Sequence, residues 1–351
     1  MTAQPSLPFG KATVLGAGLM GRLLAVALAQ RGCAVSLYEA QGPDAGGAAA
    51  RVAAAMLAPL AESAIAPMSI ARMGHYGLQR WPELLATLAQ PVFFQREGTL
   101  VLWHRQDAAE AARFAATLDR NAQALPEFPT LQRLDASGIE ALEPGIGQRF
   151  MHGLWLPGEG QLDNRALLAA LLATLQALPD VQIHWHSPRA PEDFAPAESE
   201  RVIDCRGLGA RPQWPALRGV RGEVIRVHAP EVGLTRPTRL VHPRYPLYIA
   251  PKPDGVFVIG ATEIESDDMS PASVRSTLEL LSAAYTVHSG FAEARLLEIA
   301  TQCRPAFPDN LPEVRHLRPR VLQVNGLYRH GFLIAPALLD RTLELLSRSA
   351  P

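Results

Sequence analysis

The sequence predicts an α/β protein in which a domain with a parallel sheet is interleaved with an α+β domain built on an antiparallel sheet. Two observations predict this fold. Residues 12–40 read as a short strand, a glycine-rich turn, an apolar helix and a second strand, and such a unit indicates parallel pairing. Residues 219–261 contain three β-rich runs joined by turn residues, and this pattern indicates antiparallel pairing.

The first unit has the features of a Rossmann-like dinucleotide-binding motif. Gly16 allows a tight turn after the first strand, Gly18 lets backbone approach a pyrophosphate, and Gly21 lets helix and strand pack closely. The N-terminus of the helix then faces the phosphates. Glu39 ends the second strand, where a carboxylate accepts hydrogen bonds from a ribose 2′-hydroxyl and repels a 2′-phosphate. The motif predicts an adenine dinucleotide other than NADP and leaves FAD and NAD open.

The composition favours small-molecule chemistry. The chain has 351 residues, 48% of them hydrophobic and 19% charged, which is ordinary for a soluble globular protein of two or three domains. Its 33 basic and 34 acidic side chains leave a formal net charge of -1. The chain therefore has no overall basic field to hold nucleic acid or an anionic membrane.

The cysteines and the apolar segments indicate the cellular compartment of the protein. Cys33, Cys205 and Cys303 are far apart and lack any Cys-x-x-Cys spacing, so we expect small core residues and no metal site. No continuous apolar segment is long enough for a signal peptide or a membrane span. We therefore expect a cytoplasmic protein with no integral membrane segment.

The chain is predicted to pass between the two domains more than once. Residues 201–210 form a strand that runs into a second glycine loop, and residues 321–324 form a last strand of the parallel sheet. Pro336 is favourable in the first turn of the final helix, which is expected to run to Leu346. The nucleotide-binding domain is thus assigned residues 1–85, 148–219 and 302–351, and the substrate domain residues 86–147 and 220–301.

Motifs along nearly the whole chain occur together in one family. They are the glycine loop with Glu39, Ala-Ala-Ala-Met-Leu-Ala-Pro at 53–59 followed by Glu62, Tyr-Ile-Ala-Pro at 248–251, Gly-Ala-Thr at 260–262, Arg304-Pro305 with Pro308-Asp309, and Tyr-Arg-His-Gly at 328–331 with Ala335-Pro336. With these motifs the chain resembles the D-amino-acid-oxidase superfamily of flavoproteins, and within it the glycine oxidases of thiamine biosynthesis. The resemblance implies a Rossmann-like FAD-binding domain of the D-amino-acid-oxidase type and FAD as the cofactor.

The resemblance also implies an activity. In this family an amine beside a carboxylate loses a hydride from its α-carbon to flavin N5, the imine hydrolyses, and the electrons pass to oxygen or another acceptor. Such chemistry asks the protein for positioning and electrostatics more than for a strong base. The implied partners are a small amino acid substrate and oxygen or another electron acceptor, and family members tend to form homo-oligomers.

Residues of this chain that match the family's motifs are expected to contact the cofactor. One departure is Ala55, which stands where the family commonly has glycine and could press a methyl group toward the cofactor. The residues expected at FAD are Gly16, Gly18, Leu19, Met20, Gly21, Glu39, Ala40, Ala54, Ala55, Met56, Leu57, Gly207, Arg329, His330, Gly331, Phe332 and Leu333.

The resemblance likewise implies a substrate site. Arg329 matches the carboxylate-binding arginine of the family, Arg304 matches a second arginine near the pocket, and Tyr248 matches a tyrosine whose hydroxyl completes the carboxylate shell. Glu263 stands where the family can place an apolar side chain, and we hypothesise that it meets the substrate amine or a second amino group.

The alternative for Glu263 is that it belongs to a solvated acidic loop together with Glu265, Asp267 and Asp268.

Four functions are compatible with these residues. The first is FAD-dependent oxidation of glycine or another small amino acid with oxygen as acceptor. The second is an FAD-dependent dehydrogenase for D-amino acids, sarcosine or proline that uses another acceptor, which would give no stoichiometric peroxide. The third is an NAD-dependent dehydrogenase, which would be colourless, and the fourth is a yellow flavoprotein that no amine bleaches.

Overall fold

A computed structural model describes residues 7–241 and 247–348; the remaining residues of the predicted nucleotide-binding domain, 1–6 and 349–351, lie outside the described residues. The strands in chain order are β1 Lys11–Leu15, β2 Ala34–Tyr38, β3 Met56–Leu57, β4 Phe94–Gln95, β5 Thr99–Trp103, β6 Gln132–Asp135, β7 His152–Leu156, β8 Gly160–Leu162, β9 Val181–His184, β10 Glu200–Asp204, β11 Arg218–His228, β12 Thr238–Val241, β13 Leu247–Lys252, β14 Val256–Gly260, β15 Arg295–Ala306, β16 Glu313–Arg318 and β17 Val321–Asn325.

The α-helices pack on these strands. In chain order they are α1 Leu19–Ala29, α2 Ala49–Val52, α3 Pro59–Glu62, α4 Met68–Leu85, α5 Ala108–Ala124, α6 Ala136–Leu142, α7 Asn164–Ala177, α8 Val274–Val287 and α9 Gly331–Arg348. Within the described ranges, none of them combines the length and the apolar character needed to span a bilayer.

The six-stranded sheet contains the predicted dinucleotide-binding unit. Its strand order is β16-β17-β10-β1-β2-β9, and all neighbours are parallel except β16 and β17. Both faces are covered, because Val14 packs in a core with α1, α7 and α9 while Leu15 packs with Val202 and Val321 on the other face. The carboxyl ends of β1, β2 and β10 meet at one edge, which is where ligands bind to such sheets.

The eight-stranded sheet forms the centre of the second domain and confirms the predicted fold class. Its order is β15-β11-β14-β13-β12-β5-β7-β6, and its neighbours are antiparallel except β12 and β5. The three predicted β-rich runs are β11, β13 and β14, which are adjacent in the sheet. Helix α8 covers one face, where Leu280 and Ala284 share a buried core with Ile225 and Ile259.

Two strands differ from the predicted domain division. Strand β7 joins the eight-stranded sheet by pairing with β5, although the sequence assigns residues 148–219 to the other domain. Strand β15 pairs with β11 in continuous register from Glu298 to Ala306, so the predicted boundary at residue 302 falls inside a strand. Pairing with a distant neighbour fixes these positions, and local sequence patterns do not specify such pairing.

The final helix begins earlier than the sequence predicts. Helix α9 starts at Gly331, so Pro336 lies inside the helix and not in its first turn. Proline has no N–H to donate to the carbonyl four residues before it, which here belongs to Phe332. In its place the indole N–H of Trp81 on α4 donates to the Phe332 carbonyl at 2.9 Å. A side chain from α4 thus replaces the missing helical hydrogen bond.

Candidate functional site

The glycine loop lies at the carboxyl edge of the parallel sheet, between β1 and α1. Gly16 has a φ of +90°, and a Cβ there would lie 2.8 Å from the Cys205 carbonyl oxygen. A Cβ at Gly21 would lie 1.8 Å from the Gly16 carbonyl oxygen, so α1 can approach the loop only with glycine here. A Cβ at Gly18 would meet nothing closer than 3.6 Å. The loop therefore leaves open space where the sequence predicts a pyrophosphate.

Glu39 follows β2 and borders the glycine loop. Its Oε2 accepts the backbone N–H of Ala17 at 2.6 Å, and its Oε1 accepts the N–H of Gln41 at 3.0 Å. Behind the loop the buried guanidinium of Arg22 donates to the carbonyls of Ala17 and Pro43, each at 2.7 Å. The carboxylate is thus fixed at the loop, in the position expected of a ribose ligand.

One cleft, with a volume of about 430 Å³, contains nearly all of the predicted site residues. Gly21 and Leu57 do not line it, because Gly21 packs on the glycine loop and Leu57 is fully buried in the core. The predicted residues that line the cleft are Gly16, Gly18, Leu19, Met20, Glu39, Ala40, Ala54, Ala55, Met56, Gly207, Tyr248, Glu263, Arg304, Arg329, His330, Gly331, Phe332 and Leu333.

Ala55 adopts the left-handed conformation, with a φ of +53°. This conformation costs an alanine roughly 1–2 kcal/mol and a glycine almost nothing, which explains why a glycine would suit the position. The Ala55 carbonyl accepts the N–H of Leu162 on β8 at 3.1 Å, and the neighbouring Met56 pairs with Gln161 on the same strand. Pairing with β8 therefore holds the segment that faces the cleft.

Glu62 at the end of α3 holds two arginines at the cleft wall. Its Oε2 accepts Nε and Nη2 of Arg329 at 3.0 and 2.8 Å, and its Oε1 accepts Nη2 of Arg239 at 2.6 Å. His330 Nδ1 lies 3.2 Å from Oε2 but is not aligned for a hydrogen bond. Burial alone would raise the pKa of Glu62, but the two guanidinium groups hold that pKa well below its usual value. The carboxylate stays charged.

Glu263 points into the cleft from the segment after β14. Its Oε2 accepts Nη1 of Arg329 at 2.8 Å, and its Oε1 accepts the hydroxyl of Tyr328 at 2.5 Å. Burial opposes ionisation, but the Tyr328 hydrogen bond and the charge of Arg329 lower the pKa of the Glu263 carboxyl. Every guanidinium nitrogen of Arg329 is therefore bonded to a carboxylate of the protein.

The other acidic residues of this segment point elsewhere. Glu265 pairs with Arg218, and Asp267 pairs with Arg211 at 2.5 Å. The Asp268 carboxylate lies 3.5 Å from Arg221 and is more than half exposed. These residues form an acidic surface loop held by arginines, and Glu263 differs from them because it lines the cleft.

Arg304 enters the cleft from β15. Its donors reach only backbone carbonyls: Nη1 lies 3.3 Å from the Arg221 oxygen, and Nη2 lies 3.2 Å from the Thr262 oxygen. Among the described residues, no carboxylate pairs with Arg304. A Cβ at Gly222 on the neighbouring strand would lie 2.3 Å from Nη2, so this glycine makes room for the guanidinium.

The side chain of Tyr248 on β13 likewise lies over a glycine of the neighbouring strand β14. A Cβ at Gly260 on β14 would lie 2.7 Å from the Tyr248 hydroxyl oxygen. Burial raises the pKa of Tyr248, and the charges of Arg304 and Arg329 offset only part of this increase. The hydroxyl therefore remains protonated. The hydroxyl is a neutral donor beside two cations.

A buried carboxyl that the sequence analysis did not single out lies behind Glu62. Glu159 is 2% exposed, and its Oε1 accepts the N–H of Ala61 at 2.8 Å. Its Oε2 has no hydrogen-bond partner among the described residues. Burial raises the pKa of Glu159 to about 7, against the charge of Arg239. Burial thus places the pKa of a carboxyl behind the cleft wall near neutrality.

Tyr248, Glu263, Arg304 and Arg329, which the sequence analysis assigned to the substrate site, all line one cleft, and their roles there stay predictions. No role was assigned from the sequence to Glu62, Arg239, Glu159 or Lys252. Glu62 carried a signal, because it comes three residues after the small-residue motif at 53–59, but its partner Arg239 lies 177 residues further on. No local pattern links two such positions.

Residues 11–340 match the sequence family described as FAD dependent oxidoreductase (DAO). A Rhizobium etli protein that carries the name thiamine biosynthesis oxidoreductase ThiO is 41% identical over 333 residues, which are 95% of this chain and 95% of that protein. The glycine oxidase of Pseudomonas putida is 24% identical, covering 96% of this chain and 94% of its own.

Solved structures have the same fold. The crystal structure of glycine oxidase from Bacillus cereus superposes with a TM-score of 0.80 at 20% sequence identity, covering 98% of this chain and 96% of that one. At this sequence identity, the structural similarity shows a shared fold only.

Proposed function

Because the chain belongs to the family of FAD-dependent oxidoreductases, with FAD as its cofactor, we propose that it oxidises glycine or another small α-amino acid to the corresponding imine. The name of the Rhizobium etli relative and the glycine oxidase of Pseudomonas putida support this substrate class. The observation that carries the proposal is a cleft that places Arg304, which has no carboxylate partner among the described residues, beside the partly buried Tyr248.

The residues present fit FAD. The glycine loop leaves open space at Gly18 for the pyrophosphate, and Glu39 lies where it can accept a ribose hydroxyl. Residues 53–56 and the start of α9 line the rest of the cleft, and the positive end of the α9 dipole favours negative charge there. FAD, when bound, supplies the acceptor for a hydride from the substrate α-carbon.

Arg304 and Tyr248 are the proposed ligands of the substrate carboxylate. The Arg304 guanidinium has only weak contacts to carbonyls, so a carboxylate would add a charge-assisted pair that the protein lacks. The Tyr248 hydroxyl can donate to the same group. The role of Arg329 as a direct ligand of the substrate carboxylate stays a prediction. Because Arg329 is already bonded to Glu62 and Glu263, Arg304 is favoured as the main ligand of that carboxylate.

Glu263 is the proposed partner of the substrate ammonium group. We expect Glu263→Gln to raise the KM for amino acids about tenfold, because a charged hydrogen bond contributes roughly 1.5–3 kcal/mol and a neutral amide keeps only part of it. Steady-state kinetics on glycine and sarcosine would measure the change. Glu265→Gln is the matched control, since Glu265 lies in the same segment but pairs with Arg218. Unchanged KM values for all amines in Glu263→Gln would show that the pocket role is wrong.

Oxygen as the electron acceptor and the cytoplasm as the location are part of the proposal. The match to glycine oxidases supports oxygen. The three cysteines support a reducing compartment, because all of them are free thiols.

The function is tested by an anaerobic absorbance titration of the yellow protein with glycine, sarcosine, D-alanine, D-proline and the L-amino acids. Glycine has five heavy atoms, and a ceiling of about 1.5 kcal/mol per atom limits its dissociation constant to a few micromolar at best. Because this ceiling is a best case, the titration extends to tens of millimolar. We expect glycine or sarcosine to bleach the flavin.

Air is then admitted. Rapid return of the colour with stoichiometric peroxide is the expected result and indicates an oxidase. Bleaching without reoxidation would instead indicate a dehydrogenase that uses another acceptor. If no amino acid bleaches the flavin, the proposed substrate class is wrong.

A further inference from the structure

Lys252 is a buried cation directly behind the wall of the FAD cleft. The residue ends β13 and is 6% exposed. Its ammonium donates three hydrogen bonds, to the Ala54 carbonyl at 2.8 Å, the Leu162 carbonyl at 2.8 Å and Oε1 of Gln161 at 3.1 Å. Three acceptors match the three donors of an ammonium group. The site is therefore built for a lysine.

The three acceptors link the cleft wall to the strand that supports it. Ala54 lines the cleft, whereas Gln161 and Leu162 belong to β8. The next residue, Ala55, is the one held in the left-handed conformation. The ammonium thus fixes the cleft-facing segment next to Ala55, whose left-handed backbone conformation is unfavourable for an alanine.

The residue type is informative in this chain. Of its 33 basic residues only Lys11 and Lys252 are lysines, and all the others are arginines. Lys11 is an exposed residue at the start of β1. An arginine carries the same charge in a planar fork of donors and, unlike a buried lysine, does not lose that charge in proteins.

The charge of Lys252 is sensitive to conditions near neutrality. Burial lowers the pKa of Lys252 to about 7, the nearby Arg226 on β11 acts in the same direction, and the Asp163 carboxylate before α7 opposes it. Asp163 is itself engaged as the cap of α7, accepting the N–H groups of Arg165 and Ala166. The described contacts of the ammonium are all to uncharged oxygens, so its charge is not neutralised locally.

We propose that Lys252 is a positioning residue of the FAD site, whose ammonium fixes residues 53–56 and supplies positive charge that favours a reduced or otherwise anionic flavin. The charge acts across one peptide group, since the bonded Ala54 lines the cleft. It is present at mildly acidic pH and is lost as the pH rises above neutrality. The proposal rests on FAD binding and not on the identity of the amino acid substrate.

Sulfite binding to the flavin of the purified holoenzyme tests the proposal, because sulfite adds to oxidised FAD and leaves it negatively charged. The dissociation constant is measured by loss of absorbance at pH 6 and pH 8.5 for wild type, K252M and K11M. We expect K252M to bind sulfite at least about tenfold more weakly than wild type at pH 6, and by a smaller factor at pH 8.5. K11M, the matched control, should follow wild type at both values.

A second variant keeps the test decisive if K252M does not fold with FAD. K252R retains its charge at all these pH values, so we expect it to match wild type within about threefold at pH 6 and to bind sulfite more tightly than wild type at pH 8.5. The proposal is overturned if K252M is within twofold of wild type at pH 6, or if the K252R to wild-type ratio is the same at both pH values. Neither result depends on amino acid oxidation.

Discussion

Replacing Arg304 with alanine is expected to lower kcat/KM for small amino acids by about 100- to 1000-fold, mainly through KM. Arg304 has no carboxylate partner among the described residues, and charge-assisted hydrogen bonds to a substrate carboxylate contribute roughly 1.5–3 kcal/mol each. The loss should extend to every amino acid that the enzyme oxidises. Arg304→Lys should recover only part of it, because an ammonium cannot form the bidentate pair. Steady-state kinetics and FAD content together measure the effect.

Arg211→Gln is the matched control for Arg304. Arg211 pairs with Asp267 on the acidic surface loop and does not line the cleft, so its kinetics should stay within about twofold of wild type. If Arg304→Ala keeps KM within twofold while FAD stays bound, another group holds the carboxylate. Arg329 would then be the next residue to test.

Glu62→Gln is expected to destabilise the protein by about 3–5 kcal/mol. Glu62 is the shared partner of Arg329 and Arg239, and removing one member of a buried ion cluster leaves uncompensated charge behind. The free energy of unfolding in urea, measured with and without added FAD, gives the loss. Because the pKa of Glu62 lies well below its usual value of 4.5, its contribution is present above about pH 4.5 and disappears as the pH falls toward the folded-state pKa.

Glu83→Gln is the control for charge removal without burial. Glu83 pairs with Arg80 on the surface of α4, and its side chain is 72% exposed, so little change in unfolding is expected. A Glu62→Gln protein as stable as the Glu83→Gln protein would show that the cluster contributes nothing net. The same comparison at pH 4 and pH 7 should show the Glu62 effect shrinking at the lower pH.

The residues of the glycine loop could be predicted from the residue pattern because local geometry sets them, whereas the substrate-site residues were predicted from the family resemblance. Gly16 and Gly21 are required by contacts within one strand–helix unit, and Glu39 follows the next strand. The Glu62–Arg239 pair and the Lys252 contacts join segments 177 and up to 198 residues apart. Such pairs form only when the two sheets pack together, and the residue pattern along the chain does not predict which residues so far apart in sequence will meet.

The final helix shows a second limit of local patterns. Pro336 is a sound start signal when only neighbouring residues are considered. In the structure the indole of Trp81 donates to the Phe332 carbonyl that proline leaves unpaired, so the helix can extend toward the cleft by more than a turn. A donor from α4, far away in the chain, made the earlier start possible.

The strand order of the parallel sheet has a consequence for synthesis on the ribosome. Strand β1 pairs with β10, and Lys11 and Glu200 in that pair are 189 residues apart. At about 5–20 residues per second, β1 waits roughly 10–40 seconds for this neighbour to be made, with one strand edge and its apolar side chains uncovered. The yield of folded protein is therefore expected to depend on elongation speed and on chaperones that cover this edge, and not only on the stability of the finished fold.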